Sequence, residues 1–348
     1  MNSLERFLAT LDRRPVDRPC TWLGIPHPAS LPKLLDYFGV AGLRDLGEAL
    51  DDDLFAVELP YHSPTSDAIY MAFDFRKASD RSKLTNEQRT LNSPGFFEGI
   101  RDPRRVDDFD WPDPVKFIDP AECRGAALEV PPGRVALGVI WSAHFQDACA
   151  AFGLQDAFMA MLEAPEMFQA VIDRIADFYL AANEIFYEAS RGRLHAVLIG
   201  NDFGSQRGLM LSPELIRRHV LPGTRRLVEQ ARSHGVRVIH HSCGSIRDII
   251  PDLIDCGVSA IHPVQAQAAG HDPAGLRRDF GSRVAFCGAV DTQELLVRGT
   301  PEQVREKVRD LRRIFSTGLI ISPSHEAILP DVPPENIEAM MQAAHELY

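Results

Sequence analysis

The chain has 348 residues, 45% of them hydrophobic and 25% charged, which suffices for a large buried core in one α/β unit. A formal net charge of −12 without a basic run argues against a nucleic-acid surface. No apolar stretch approaches the ~20 residues of a membrane span. The segment Met1-Asn2-Ser3-Leu4-Glu5-Arg6 opens an amphipathic helix rather than an export signal, and six scattered cysteines without a CxxC read as reduced, so the expected setting is cytoplasmic.

Eight short, β-rich apolar runs read as strands, at 20–25, 54–59, 135–141, 196–201, 236–241, 259–263, 284–287 and 319–322. Helical periodicity fills most of the intervals, as at 165–189, 213–234, 246–256 and 301–315. Pro165, Pro213 and Pro301 sit at first helical turns, where a missing N–H costs nothing. Ser212 and Thr300 precede two of them as N-caps. Gly235, Gly257 and Gly318 stand between helix ends and strands, as C′ glycines do. Eight β units joined by crossover helices predict a (β/α)8 TIM barrel over residues 1–348. Residues 60–133 break the rhythm with many turn formers, and read as a long excursion after strand 2 that covers the active-site face.

In such a barrel the site lies at the C-terminal strand ends. Those ends carry His27; Glu58 and His62; Ser142 and His144; Asn201, Asp202 and Gln206; His241 and Cys243; His262 and Gln265; Cys287 and Asp291; His325 and Glu326. Loops are polar in any protein, which accounts for a Glu or a Ser. It accounts less well for seven of the twelve histidines at these positions, at 27, 62, 144, 240, 241, 262 and 325.

His241-Ser242-Cys243 puts an imidazole and a thiol on one side of an extended segment. With His325 from across the barrel they make a three-ligand zinc site, open at the fourth position as catalytic sites are. The alternatives are a packed Cys243 and a helix-capping His325. His240 points the opposite way from His241 and reads as a packed residue. Asp202 is either a turn residue or a substrate-facing carboxylate and general base. Asp291 is either catalytic or a cap for the helix that follows it. Glu58 completes the candidate catalytic acids. Asn201, Gln206, His144, Gln265 and His27 are the candidate substrate contacts.

The run of motifs Asn201-Asp202-Phe203-Gly204-Ser205-Gln206, Leu211-Ser212-Pro213-Glu214, His241-Ser242-Cys243-Gly244, Pro263-Val264-Gln265, Phe286-Cys287-Gly288-Ala289-Val290-Asp291-Thr292-Gln293 and Ser322-Pro323-Ser324-His325, followed by Asp331-Val332-Pro333-Pro334-Glu335-Asn336-Ile337, resembles the uroporphyrinogen decarboxylase superfamily. The match covers about residues 135–345, and Pro15-Val16-Asp17-Arg18-Pro19 resembles the family's opening. The resemblance implies a (β/α)8 barrel and either a decarboxylase or a zinc-dependent methyltransferase. True uroporphyrinogen decarboxylases carry an Arg-Gln-Ala-Gly-Arg segment that binds substrate carboxylates. Here the stretch is Thr21-Trp22-Leu23-Gly24-Ile25-Pro26-His27, without an arginine, so uroporphyrinogen is not the expected substrate.

The methyltransferase branch holds zinc with His-x-Cys and a distant Cys, and the metal activates a thiol. His241 and Cys243 match that pair, and His325 stands at the third position. One thiolate and two imidazoles leave Zn²⁺ at +1, a stronger Lewis acid than a site with two thiolates. The expected activity is methyl transfer between a small methylated substrate and a corrinoid protein or thiol. A zinc-dependent decarboxylase or lyase on a small acid is the runner-up, and a non-catalytic binding barrel the third reading. The chain has no cobalamin-binding pattern, so any corrinoid comes on a partner protein. A homodimer is compatible with these readings; nucleic acid and membrane are not expected partners.

Overall fold

Eight parallel strands form one sheet: β1 (Cys20–Thr21), β2 (Leu54–Glu58), β3 (Val135–Trp141), β4 (Ala196–Gly200), β5 (Arg237–His241), β6 (Ala260–Val264), β7 (Ala285–Val290) and β8 (Leu319–Pro323). The computed structural model describes residues 1–76, 91 and 93–346. Neighbours follow the order β1-β8-β7-β6-β5-β4-β3-β2, every pair parallel, with helices in the crossovers. This is the (β/α)8 architecture expected from the sequence. The central strands are buried along nearly their whole length, as parallel strands covered on both faces are. Inward side chains such as Val135, Leu137, Leu198, Ile239 and Ile320 form an inner core with Phe7 and Leu11 of the first helix, Ser3–Leu11. Outward ones pack against the surrounding helices.

Two departures from the expected strands shape the mouth. The first run does not continue to residue 25 as one strand. Gly24 adopts φ +92°, and a Cβ there would lie 2.4 Å from the Glu326 carbonyl oxygen. The chain turns at that glycine. Ile25–Pro26 then pairs with Ala327–Ile328 in a separate two-stranded ribbon. Second, β1 and β2 share no ladder, and carboxylates bridge the seam instead. Asp53 Oδ2 accepts the Thr21 N–H at 3.0 Å and Asp52 Oδ2 the Leu23 N–H at 2.8 Å. Arg6 and Arg18 donate to the buried Asp53 and neutralise it.

The expected cover over the mouth is only partly realised among the described residues. Phe73, Phe75, Phe97, Phe109 and Trp111 form an aromatic cluster. It packs on Phe178 and Tyr179 of the 25-residue helix Pro165–Ala189 and on Phe152, at the barrel's flank. So many large rings need a buried apolar partner surface, and that helix supplies one. Tyr70, from the turn Ile69–Met71, does reach the mouth. Residues 77–90 and 92 of the excursion lie outside the described residues. No described helix is long and apolar enough to cross a membrane.

Candidate active site

The site is built where β4 and β5 end side by side. Gly200 pairs with His241 across the ladder, and a Cβ on Gly200 would lie 2.1 Å from the His241 carbonyl oxygen. Only glycine permits that approach, and it brings the residue after next, Asp202, against the β5 turn. Asp202 Oδ1 accepts the Cys243 N–H at 2.8 Å and lies 3.3 Å from His241 Nε2. Cys243 Sγ is 3.6 Å from the same Nε2. Gln265 ties the thiol from β6, its Nε2 3.5 Å from the sulfur and its Oε1 accepting the Gly244 N–H at 2.8 Å.

Behind His241, Nδ1 lies 3.0 Å from His262 Nδ1 and 3.5 Å from Glu326 Oε2. Glu326 is also 3.6 Å from His325 Nδ1, and the His241 and His325 rings stand edge to face with centroids 6.3 Å apart. The Ala327 N–H donates to His325 Nδ1 at 3.0 Å, which leaves Nε2 as its other coordinating nitrogen. Trp141, held at φ +50°, sets its ring edge to face with His241 at 5.4 Å.

These groups perturb one another strongly. Burial pushes the Asp202 carboxyl up, but hydrogen bonds from His241, the Cys243 N–H and Gln146 outweigh it and hold the carboxyl well below its usual range. Burial pushes His241 down, yet Glu326, Asp202 and Cys243 raise it well above an ordinary imidazole. The Cys243 thiol is lowered because His241 and His325 outweigh its burial. All six cysteines are unpaired, and Cys243 is the one not fully buried. His240, on the opposite face of β5, stacks on Phe203 and is pushed down to about 3 by burial. It is a packed neutral residue, as alternation along the strand requires.

Asp202, His241, Cys243 and His325 line one cavity of about 650 Å³, together with Glu58 and His27. Six of the candidate residues therefore come together. The donor atoms of Asp202, His241 and Cys243 lie within 4.8 Å of one another, as do those of His241, His262 and Glu326. A tetrahedral zinc places its nitrogen and sulfur ligands about 3.6 Å apart, and nitrogen and oxygen ligands about 3.3 Å apart. The spacings of His241 Nε2 to Cys243 and to Asp202 fit those edges.

Five candidates do not face the cavity. Asp291 does not face the cavity: its carboxylate accepts the N–H groups of Gln293, Glu294 and Leu295 at 3.2, 2.9 and 3.0 Å and caps the turn that follows. Asn201 points opposite to Asp202, with its Oδ1 accepting the Phe145 N–H at 2.8 Å. His144 is buried beneath it, its ring nitrogens 3.2 and 3.1 Å from the carbonyls of Ser142 and Val220. Gln206 is exposed in the Ser205–Gly208 turn. Gln265 holds Cys243 rather than lining the cavity. Two residues not singled out from the sequence, Gln146 on Asp202 and Trp141 on His241, complete the site with Glu326, which the sequence offered at its strand end without a role and which stands between two imidazoles. The only signal for Glu326 was its place beside His325.

The family model "Uroporphyrinogen decarboxylase (URO-D)" matches residues 2–347. A uroporphyrinogen decarboxylase of Acidiphilium cryptum is 33% identical over 147 residues, 42% of this chain and 39% of that protein. A methylated-thiol–coenzyme M methyltransferase of Methanosarcina mazei is 28% identical over 186 residues, 52% of this chain and 45% of that protein. The chain thus matches less than half the length of these two relatives. A solved methyltransferase from Methanosarcina mazei shares the fold across 99% of this chain and 98% of its own, with a TM-score of 0.69 at 17% identity. With the family model running almost from end to end, the chain belongs to the uroporphyrinogen decarboxylase family.

Proposed function

We propose that this protein is a zinc-dependent methyltransferase that moves a methyl group between a small methylated substrate and a corrinoid on a partner protein, or a thiol. The observation that carries the reading is the His241–Cys243 donor pair at 3.6 Å, which lines the cavity. A relative named as a methyltransferase supports it. His241 Nε2 and Cys243 Sγ would hold the metal, with His325, which lines the same cavity, as the third ligand. Asp202 is left out of the first set because its Oδ1 already accepts the Cys243 N–H at 2.8 Å. Zinc held there would supply a Lewis acid for the heteroatom that carries or receives the methyl group.

The chain's own residues do the positioning. Asp202 fixes the backbone of Cys243, and its charge faces the cavity. Gln265 donates to the sulfur and tempers its charge. His262 Nδ1 accepts from His241 Nδ1, and the Glu326 carboxylate stands 3.5 Å from the same nitrogen, which turns Nε2 toward the thiol. The methyl carbon leaves its electron pair with the donor heteroatom and takes a pair from the acceptor.

Elemental analysis of the purified protein, with Cys243→Ala alongside, tests the metal. One zinc per chain is expected, with occupancy falling sharply in the variant; full occupancy in Cys243→Ala would leave the thiol as packing. The reaction is tested by incubating the protein with methylated substrates and a reduced corrinoid protein and following methylcobalamin. Release of carbon dioxide from a small acid without a corrinoid would replace methyl transfer by decarboxylation.

A further inference from the structure

The cavity has a pronounced charge character that the metal reading does not use. Its wall carries three carboxylates, Glu58, Asp202 and Glu326, and none of the described lining residues is lysine or arginine. Among the described lining residues the carboxylates therefore face no cationic group other than the imidazoles of His27, His241 and His325. Asp202 and Glu326 are engaged with His241 and His325. Glu58 differs: it is exposed at the end of β2, opens onto the cavity, and takes no hydrogen bond or ion pair from any described residue. Two aromatic rings, Tyr70 and Trp141, line the same space. Carboxylates beside aromatic rings form the chemistry that binds methylated cations.

We infer that the cavity selects a methylated cation of the ammonium or sulfonium type over its neutral isostere and over an anion of similar length. What becomes of the methyl group rests on the reading above; the charge preference rests on the cavity alone. The two fit together chemically. Transfer from an onium donor forms one bond from the methyl carbon to the acceptor and breaks the carbon–nitrogen or carbon–sulfur bond. The bonding pair stays on the departing amine or sulfide, which leaves neutral and asks for no proton. A sulfonate-bearing thiol, by contrast, would bring its charge against Glu58.

The test measures binding of three probes of similar length by calorimetry, on metal-free and on zinc-loaded protein: choline, its neutral carbon isostere dimethylbutanol, and the anion isethionate. Choline is expected to bind at least about tenfold more tightly than dimethylbutanol, and more tightly than isethionate. Glu58→Gln should remove most of choline's advantage and leave dimethylbutanol unchanged. Isethionate binding as tightly as choline, or choline affinity unaffected by Glu58→Gln, would overturn the inference. The two readings separate cleanly. A choline preference without methylcobalamin formation sinks methyl transfer and keeps charge selection. Methyl transfer from an anionic donor does the reverse.

Discussion

Gly200→Ala probes whether the close approach of β4 to β5 positions the metal ligand. The added Cβ would sit 2.1 Å from the His241 carbonyl oxygen and 2.7 Å from His241 Cβ, where contacts under 3.0 Å do not occur. Relief requires the strand ends to part by roughly 1 Å, against a tolerance of about 0.2 Å in metal–ligand distances. The stability cost of such overpacking is about 1–3 kcal/mol. A control separates that cost from loss of the site. Gly138→Ala in β3 puts its Cβ 3.1 Å from Phe186 Cε1 and Val197 Cγ1, side-chain atoms that are able to give way and belong to the core between sheet and helices rather than to the cavity lining. Zinc affinity by chelator competition should fall about 100-fold or more in Gly200→Ala. It should be unchanged in Gly138→Ala, while thermal unfolding shows both variants destabilised. If Gly200→Ala binds zinc as tightly as Gly138→Ala, the placement of His241 by this approach is not what holds the metal.

Asp291→Ala should cost about 1–3 kcal/mol of stability, because three backbone N–H groups lose their acceptor, and should leave kcat unchanged; a loss of kcat in a folded variant would restore Asp291 to the catalytic set. His262→Phe removes an acceptor at His241 Nδ1 and is expected to weaken zinc binding about tenfold, and unaltered affinity would assign the orientation of His241 to Glu326 alone. Burial pushes the Asp52 carboxyl up to about 8, so the folded state retains a proton that the unfolded chain releases near ~4. Its contribution to stability is therefore full below ~4 and is lost as pH rises through about 8. Asp52→Asn keeps an acceptor for the Leu23 N–H without the charge and should flatten denaturant-measured stability over that window; parallel curves for the two proteins would refute the assignment.

The cavity residues differ from the misplaced ones in a way strand geometry explains. Adjacent residues on a strand face opposite sides, so Asn201 and Asp202 could not both face the mouth, nor His240 and His241. Asn201 and His144 belong to the face beneath. Asp291 resisted sequence reading for another reason. An aspartate at a strand end offers the same carboxylate to a substrate or to the N–H groups of the next turn, and only the path of that turn decides.

The eight apolar runs, the caps and glycines between them and the His-x-Cys spacing determined, without coordinates, the barrel and which end of it carries chemistry. They are local properties, with a period of two in strands and 3.6 in helices, and short-range spacing preserves them. Tertiary structure alone decided the rest: that Gly24 turns the first run aside to pair with Ala327–Ile328, that the β1–β2 seam is bridged by Asp52 and Asp53, and that Glu326 stands between His241 and His325. Each of these depends on groups far apart in the chain meeting within a few ångströms, and no local pattern encodes that distance.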